Sequence, residues 1–245
     1  MTNQISRRGL IASSGAAGFA LAGGTTAASA QTAAAVPPAP TTDGRTTLDA
    51  DGALALLKEG NKAFLEGRVV NPDISAERKL QLAKGQAPFC AYVTCSDSRV
   101  PPELLFGRGL GELFIIRNAG NTVDTVAMGS IEYAVAELAV PLVVVMGHES
   151  CGAVKAAMSV VEANTRFPGS IGAMVEPIIP AVLEARETDG DKTENAVKQN
   201  VRRVVRSLRE DSDPILLEPQ NAGRVKVVGA YYHLDTGFVD FFDTV

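Results

Sequence analysis

Pro141-Leu142-Val143-Val144-Val145-Met146-Gly147-His148-Glu149-Ser150-Cys151-Gly152 is the stretch on which the fold turns. Its first six residues are apolar without alternation, the pattern of a short strand buried on both faces. Gly147 ends the run, and a helix is expected from about Cys151. On either side of it, residues 89–94, ending at Cys95, and residues 113–116 read as two further strands, and 225–232 as a fourth. A fifth, over 238–242, is expected as an antiparallel edge. Helical patterns fall at 51–67, with Asp51 as the expected cap, and at 127–138, 171–187 and 193–210. Apolar strands alternating with helices predict an α/β fold. Its sheet is mostly parallel, four parallel strands plus the antiparallel edge, and helices flank it.

In such sheets ligands gather beyond the carboxyl ends of the strands. Cys95 stands just past one strand end, and His148 and Cys151 just past another. Two thiolates and one imidazole suit zinc, and three protein ligands leave a fourth position for water, as in a catalytic site. An H-x-x-C pair alone fits a disulfide or unrelated core residues equally well. Only Cys90 is left over, too few ligands for a four-ligand structural zinc module. Asp97 is two residues from a ligand and so lies close to the metal. Paired with Arg99, it also fits a surface ion pair that caps the following turn.

Cys95-x-Asp97-x-Arg99, followed by Gly147-His148-x-x-Cys151-Gly152, resembles the signature of the β-class carbonic anhydrases. The similarity runs from about Leu54 through Gly229. It takes in residues 111–121 (GELFIIRNAGN) and 130–134 (SIEYA), and the closing residues 229–237 also look like bacterial members. The resemblance implies reversible hydration of carbon dioxide to bicarbonate and a proton by zinc-bound hydroxide. One zinc ion per chain would be held by Cys95, His148 and Cys151. Asp97 would orient the hydroxide and Arg99 would hold Asp97. Gln86, Phe114, Tyr133 and Gly152 would bind substrate. In relatives some pocket residues come from the neighbouring subunit, so a homodimer or higher homo-oligomer is implied.

Some relatives close the site by swinging this aspartate onto the metal, helped by a tryptophan where this chain has Tyr92. The expectation here is therefore an open site with Asp97 on Arg99. Glu137 stands where some relatives carry a histidine, which leaves buffer as the direct proton acceptor. His233 reads as a solvated loop residue or a proton shuttle, and Cys90 as a small apolar strand residue. Two other functions remain open at this stage: hydrolysis of a carbon dioxide analogue (carbonyl sulfide or carbon disulfide) on the same fold, and a non-enzymatic zinc or thiol-sensing module. Asp97, Arg99 and Gln86 argue against the last, since metal storage needs none of them.

The amino terminus differs from the rest. Arg7-Arg8 precedes residues 9–30, which carry no charge and close on Ala28-Ser29-Ala30. That arrangement resembles a twin-arginine (Tat) export signal with cleavage near Ala30. It is too rich in glycine and serine for a comfortable membrane span. Export by the Tat machinery to the periplasm or beyond is the expectation. Cleavage would take away two arginines and no acid, leaving 21 basic residues against 28 acidic, a net of −7. Residues 31–47, rich in Ala, Pro and Thr, read as a flexible linker, and 48–245 as one catalytic domain. The net charge of −5 on the whole chain excludes no small substrate but argues against nucleic acid, whose binders need basic patches.

Overall fold

The computed structural model describes residues 37–68 and 72–244, so the expected export signal and the first part of the expected linker lie outside the described residues. All described residues belong to one unit, Ala33–Val245.

The described part begins with a departure from the linker expectation. Strands β1 (Thr41–Thr42) and β2 (Arg45–Thr46) form a small antiparallel hairpin. Asp43 and Gly44 both take positive φ, 52° and 74°, at its turn, the geometry that Asp-Gly pairs favour. Just before it, Ala39 is buried and its N–H donates to Glu112 Oε1 at 2.7 Å. Glu112 is itself buried. It also accepts from the Gly109 N–H at 2.5 Å, and Arg108 Nη1 lies 3.6 Å away. A buried carboxylate needs such donors, and the Pro-rich segment supplies one.

Helix α1 (Ala50–Leu65) follows, capped by Asp49, which accepts from the Gly52 N–H at 2.7 Å. The expected cap, Asp51, lies inside the first turn and pairs with Lys226 Nζ at 2.5 Å. A short α2 (Ala76–Leu82), not expected from sequence, leads to β3 (Cys90–Cys95). Then come α3 (Pro102–Leu105), β4 (Leu113–Asn118), α4 (Thr125–Ala136) capped by Asp124, and β5 (Leu142–His148). Beyond β5 lie α5 (Gly152–Ala163), α6 (Ser170–Val175), a 3₁₀ turn (Glu176–Ile178) and α7 (Ile179–Ala185). These last three replace the single helix expected over 171–187. Pro177 and Pro180 lack the N–H that an unbroken helix would need. The chain ends with α8 (Lys192–Glu210), α9 (Pro214–Asn221), β6 (Lys226–Tyr232) and β7 (Val239–Asp243).

The sheet has the order β4-β3-β5-β6-β7, the first four strands parallel and β7 antiparallel to β6. This is the expected α/β architecture. Side chains alternate across it. Tyr92, Leu142, Val144, Met146 and Val228 pack with Leu57, Leu105 and Phe106 on one face. Ala91, Val93, Val143, Val145 and Val227 pack with Ile131, Val201 and Leu208 on the other.

Helix α8 buries Val197, Val201, Val205 and Leu208 along one stripe that packs against the sheet. A Cβ on Gly147 would come within 2.5 Å of Val197 Cγ1 and 2.9 Å of Val201 Cγ2. Glycine at that position is what lets the helix sit against the strand that delivers His148. Among the described residues, no helix is long and apolar enough to cross a membrane.

Candidate active site

Strands β3 and β5 are hydrogen-bonded neighbours, so their carboxyl ends bring Cys95 and His148 side by side. Ser150 then takes a left-handed conformation, φ 55°, and Cys151 caps α5, turning its sulfur back toward the other two. Ligand atoms of Cys95, His148 and Cys151 lie within 4.8 Å of one another, all three residues buried, and the two sulfurs are 4.0 Å apart.

The donor set fits a metal ion. His148 Nδ1 donates to the Glu149 carbonyl at 2.8 Å, which leaves the lone pair on Nε2. That atom is buried and has no hydrogen-bond partner among the described residues, a costly arrangement unless a cation takes the lone pair. The sulfurs make the same demand. The neighbouring Cys151 thiol, more than any other group, holds the Cys95 thiol well below the ordinary range; burial opposes it, while His148 and the backbone N–H groups of Gly120 and Asp97 assist. Cys151 is pushed up, first by Cys95 and then by burial. The pair accepts one negative charge readily and a second only beside a cation. Two sulfurs and one imidazole in this spacing are zinc-type ligands.

At the mouth of the cluster, Arg99 clasps Asp97 in a two-pronged pair, and Asp97 Oδ1 also accepts from the Arg99 backbone N–H at 3.0 Å. Arg99, ahead of all other causes and against partial burial, holds the Asp97 carboxyl well below the usual range. The carboxylate rests on Arg99, with Oδ2 only 3.9 Å from His148 Nε2. Arg117, which sequence reasoning passed over, fixes the loop from behind: Nε donates to Cys95 O at 3.0 Å and Nη2 to Asp97 O at 2.6 Å.

The expected pocket residues divide. Gly152 opens α5 beside Cys151, and among the described residues beyond its own helix and chain neighbours no atom would lie within 4 Å of a Cβ placed there. Gln86 is exposed in the loop between α2 and β3. Phe114 and Tyr133 pack on each other, ring centroids 6.1 Å apart, but away from the cluster of their own chain. Phe114 is in register with Ala91, four residues before Cys95. At about 3.3 Å per residue, that is roughly 13 Å along the strand.

Cys90 is buried in β3, and burial raises its thiol pKa. His233 departs from the solvated-loop expectation: its ring is half-buried, edge-on to Tyr231 at 4.8 Å and stacked on Phe238 at 5.9 Å.

Comparison with known proteins agrees with this geometry. A family model described as carbonic anhydrase matches residues 90–239. "Carbonic anhydrase 2" of Mycobacterium tuberculosis is 40% identical over 181 residues, covering 74% of this chain and 87% of its own. A carbonic anhydrase of Mycolicibacterium smegmatis is 39% identical over 184 residues, covering 75% and 89%. Among solved structures, a tetrameric β-carbonic anhydrase of Sordaria macrospora superposes with TM-score 0.62 at 26% identity, over 75% of this chain and 90% of that one. The Coccomyxa β-carbonic anhydrase in complex with acetazolamide gives TM-score 0.59 at 28% identity, over 77% and 86%. Sequence over three quarters of the chain and the fold built from it are thus shared with carbonic anhydrases, and the chain belongs to the β-class carbonic anhydrase family.

Proposed function

We propose that the protein catalyses the reversible hydration of carbon dioxide to bicarbonate and a proton, with one zinc ion per chain. The observation that carries this is the buried Cys95–His148–Cys151 cluster, opening beside a carboxylate that Arg99 holds in place. Cys95 Sγ, His148 Nε2 and Cys151 Sγ would hold the ion. When bound, zinc supplies Lewis acidity that lets water ionise near neutral pH.

The remaining roles belong to the chain. Asp97 stays ionised because Arg99 holds it so, and Oδ2 accepts a hydrogen bond from the attacking water, fixing the direction of its reactive lone pair. Arg117 keeps the Cys95–Asp97 backbone from drifting. The Glu149 carbonyl fixes the imidazole tautomer of His148.

Gln86, Phe114 and Tyr133 serve the site of a neighbouring copy, so the working unit is at least a dimer. Tyr133, half-exposed, and Val126, 77% exposed, share one face of α4, and such an apolar face next to Phe114 invites a second chain. Residues 1–30 direct Tat export, with cleavage near Ala30 and a periplasmic or secreted product. Prior folding would keep the zinc thiolates from oxidation in transit.

The decisive experiment measures carbon dioxide hydration by stopped flow and zinc content on the same purified sample. The expected result is one zinc per chain, with activity removed by a chelator and restored by zinc. Activity that survives complete removal of metal would refute the proposal.

A further inference from the structure

Asn200 is a polar residue on the apolar stripe of α8, 2% exposed, with the buried Val197 about one turn before it and the buried Val201 next to it. Its Nδ2 donates to the Gly120 carbonyl at 2.9 Å, a contact across 80 residues of chain. Gly120 belongs to the turn that follows β4, where two successive residues are left-handed, Gly120 at φ 81° and Asn121 at φ 46°. This turn lies over the end of β3: the Ser96 N–H donates to Asn118 O at 3.0 Å, and Asn118 Nδ2 to Thr122 O at 2.6 Å. From it the Gly120 N–H reaches Cys95 Sγ at 3.4 Å. A side chain here would be strained by the positive φ and would press on its neighbours, since a Cβ would meet Ile178 Cδ1 at 2.5 Å and Ala153 Cβ at 3.1 Å.

We propose that Asn200 is a positioning residue for the metal centre: by holding Gly120 it keeps a backbone N–H aimed at Cys95 Sγ, and so sets how strongly that sulfur donates to the bound ion. This rests on the metal-centre reading given above. Two thiolates make a metal electron-rich and a weaker Lewis acid. An N–H donated to one sulfur withdraws part of that charge and fixes the sulfur's direction. The restraint comes from α8, which packs against β5 through Gly147, so the helix that abuts the His148 strand also governs the Cys95 donor. An apolar residue at 200 would leave the Gly120 carbonyl without its amide donor and free the turn to relax.

The test uses the full protein loaded with zinc or with cobalt(II), whose charge-transfer absorption reports sulfur donation directly. Asn200→Leu and Asn200→Ala remove the amide; Val205→Ala, one turn or more along the same buried stripe, is the control for loss of packing alone. In the asparagine variants, zinc release to excess chelator should accelerate about 10–100-fold, the usual scale for outer-shell partners. The sulfur–cobalt band should also be displaced. Val205→Ala should lower thermal stability while leaving the band and the release rate as in the parent. Should Asn200→Leu fail to fold, Asn200→Ala carries the same readouts. An unchanged band and release rate in a folded Asn200 variant overturns the inference, as do changes that Val205→Ala reproduces in full. If the parent protein shows no sulfur–cobalt band, the metal-centre reading falls, and this inference with it.

Discussion

Arg99 meets Asp97 fork to fork, Nε to Oδ1 at 2.9 Å and Nη2 to Oδ2 at 2.8 Å, although the arginine side chain is about half exposed and the aspartate side chain only 18%. Exposure of the arginine makes the pair weak as a source of stability. Its geometry still fixes the plane of a carboxylate at the mouth of the cluster. Asp97→Asn should therefore retain zinc and lose about 100-fold or more in kcat, within the range for a group acting at the reacting atoms. Arg99→Lys offers a point charge in place of a fork and should lose less, with melting temperature little changed. Stopped-flow kinetics beside metal analysis separates the two effects, and an Asp97→Asn enzyme running at the parent rate would return Asp97 to a turn-capping role.

Cys95→Ser, His148→Ala and Cys151→Ser should each emerge from purification with little zinc and no measurable hydration. Each removes one of three ligands, and each cysteine change also removes a thiolate that balances the ion's charge. Full zinc occupancy in any one of them, by elemental analysis, would strike that residue from the ligand set.

On the proposal that Phe114 serves the site of a neighbouring copy, Phe114→Ala and Cys95→Ser should damage different parts of one shared site. Each variant alone should be strongly impaired, Cys95→Ser by loss of zinc and Phe114→Ala with zinc retained. Unfolded together and refolded as a mixture, they should regain activity, because some hybrid dimers combine an intact metal cluster with an intact partner wall. A mixture no more active than the sum of its parts would place Phe114 in the core of its own chain.

Gly147→Ala tests the close approach of α8. The added methyl would meet Val197 and Val201 at 2.5 and 2.9 Å, so the helix must shift or the side chains must leave their rotamers. Overpacking of this kind costs about 1–3 kcal/mol. At roughly 2–4 °C per kcal/mol for a chain of this size, a melting scan should show a fall of several degrees. No change in melting temperature would mean that the helix yields freely.

Arg7 and Arg8 offer the test of export. Changing both to lysine in the producing cell should leave uncleaved precursor in the cytoplasm, detected by fractionation and mass spectrometry of the amino terminus. Mature protein appearing outside at the usual level would exclude the twin-arginine route.

The sheet was legible because its strands are unbroken apolar runs, and the ligands because Cys95 and His148 end two such runs, with Cys151 three residues on. Helix α9 escaped notice because Pro214 opens it and Pro219 lies inside it, and α2 because it buries no residue and so shows no apolar stripe. The hairpin did leave a signal, Asp43-Gly44, which a Pro-rich setting obscured. Arg117 and Gly120 sit inside the stretch that carries the family resemblance, yet their partners are backbone atoms and a sulfur twenty or more residues away. No local pattern marks Asn200 at all. Its role exists only once α8 lies across the sheet.

The clasp of Ala39 on Glu112 also sets a limit on trimming by peptidases. A cut after Ala39 takes a donor from a carboxylate already sealed beneath the surface, and shortening the chain that far is damage to the folded body itself.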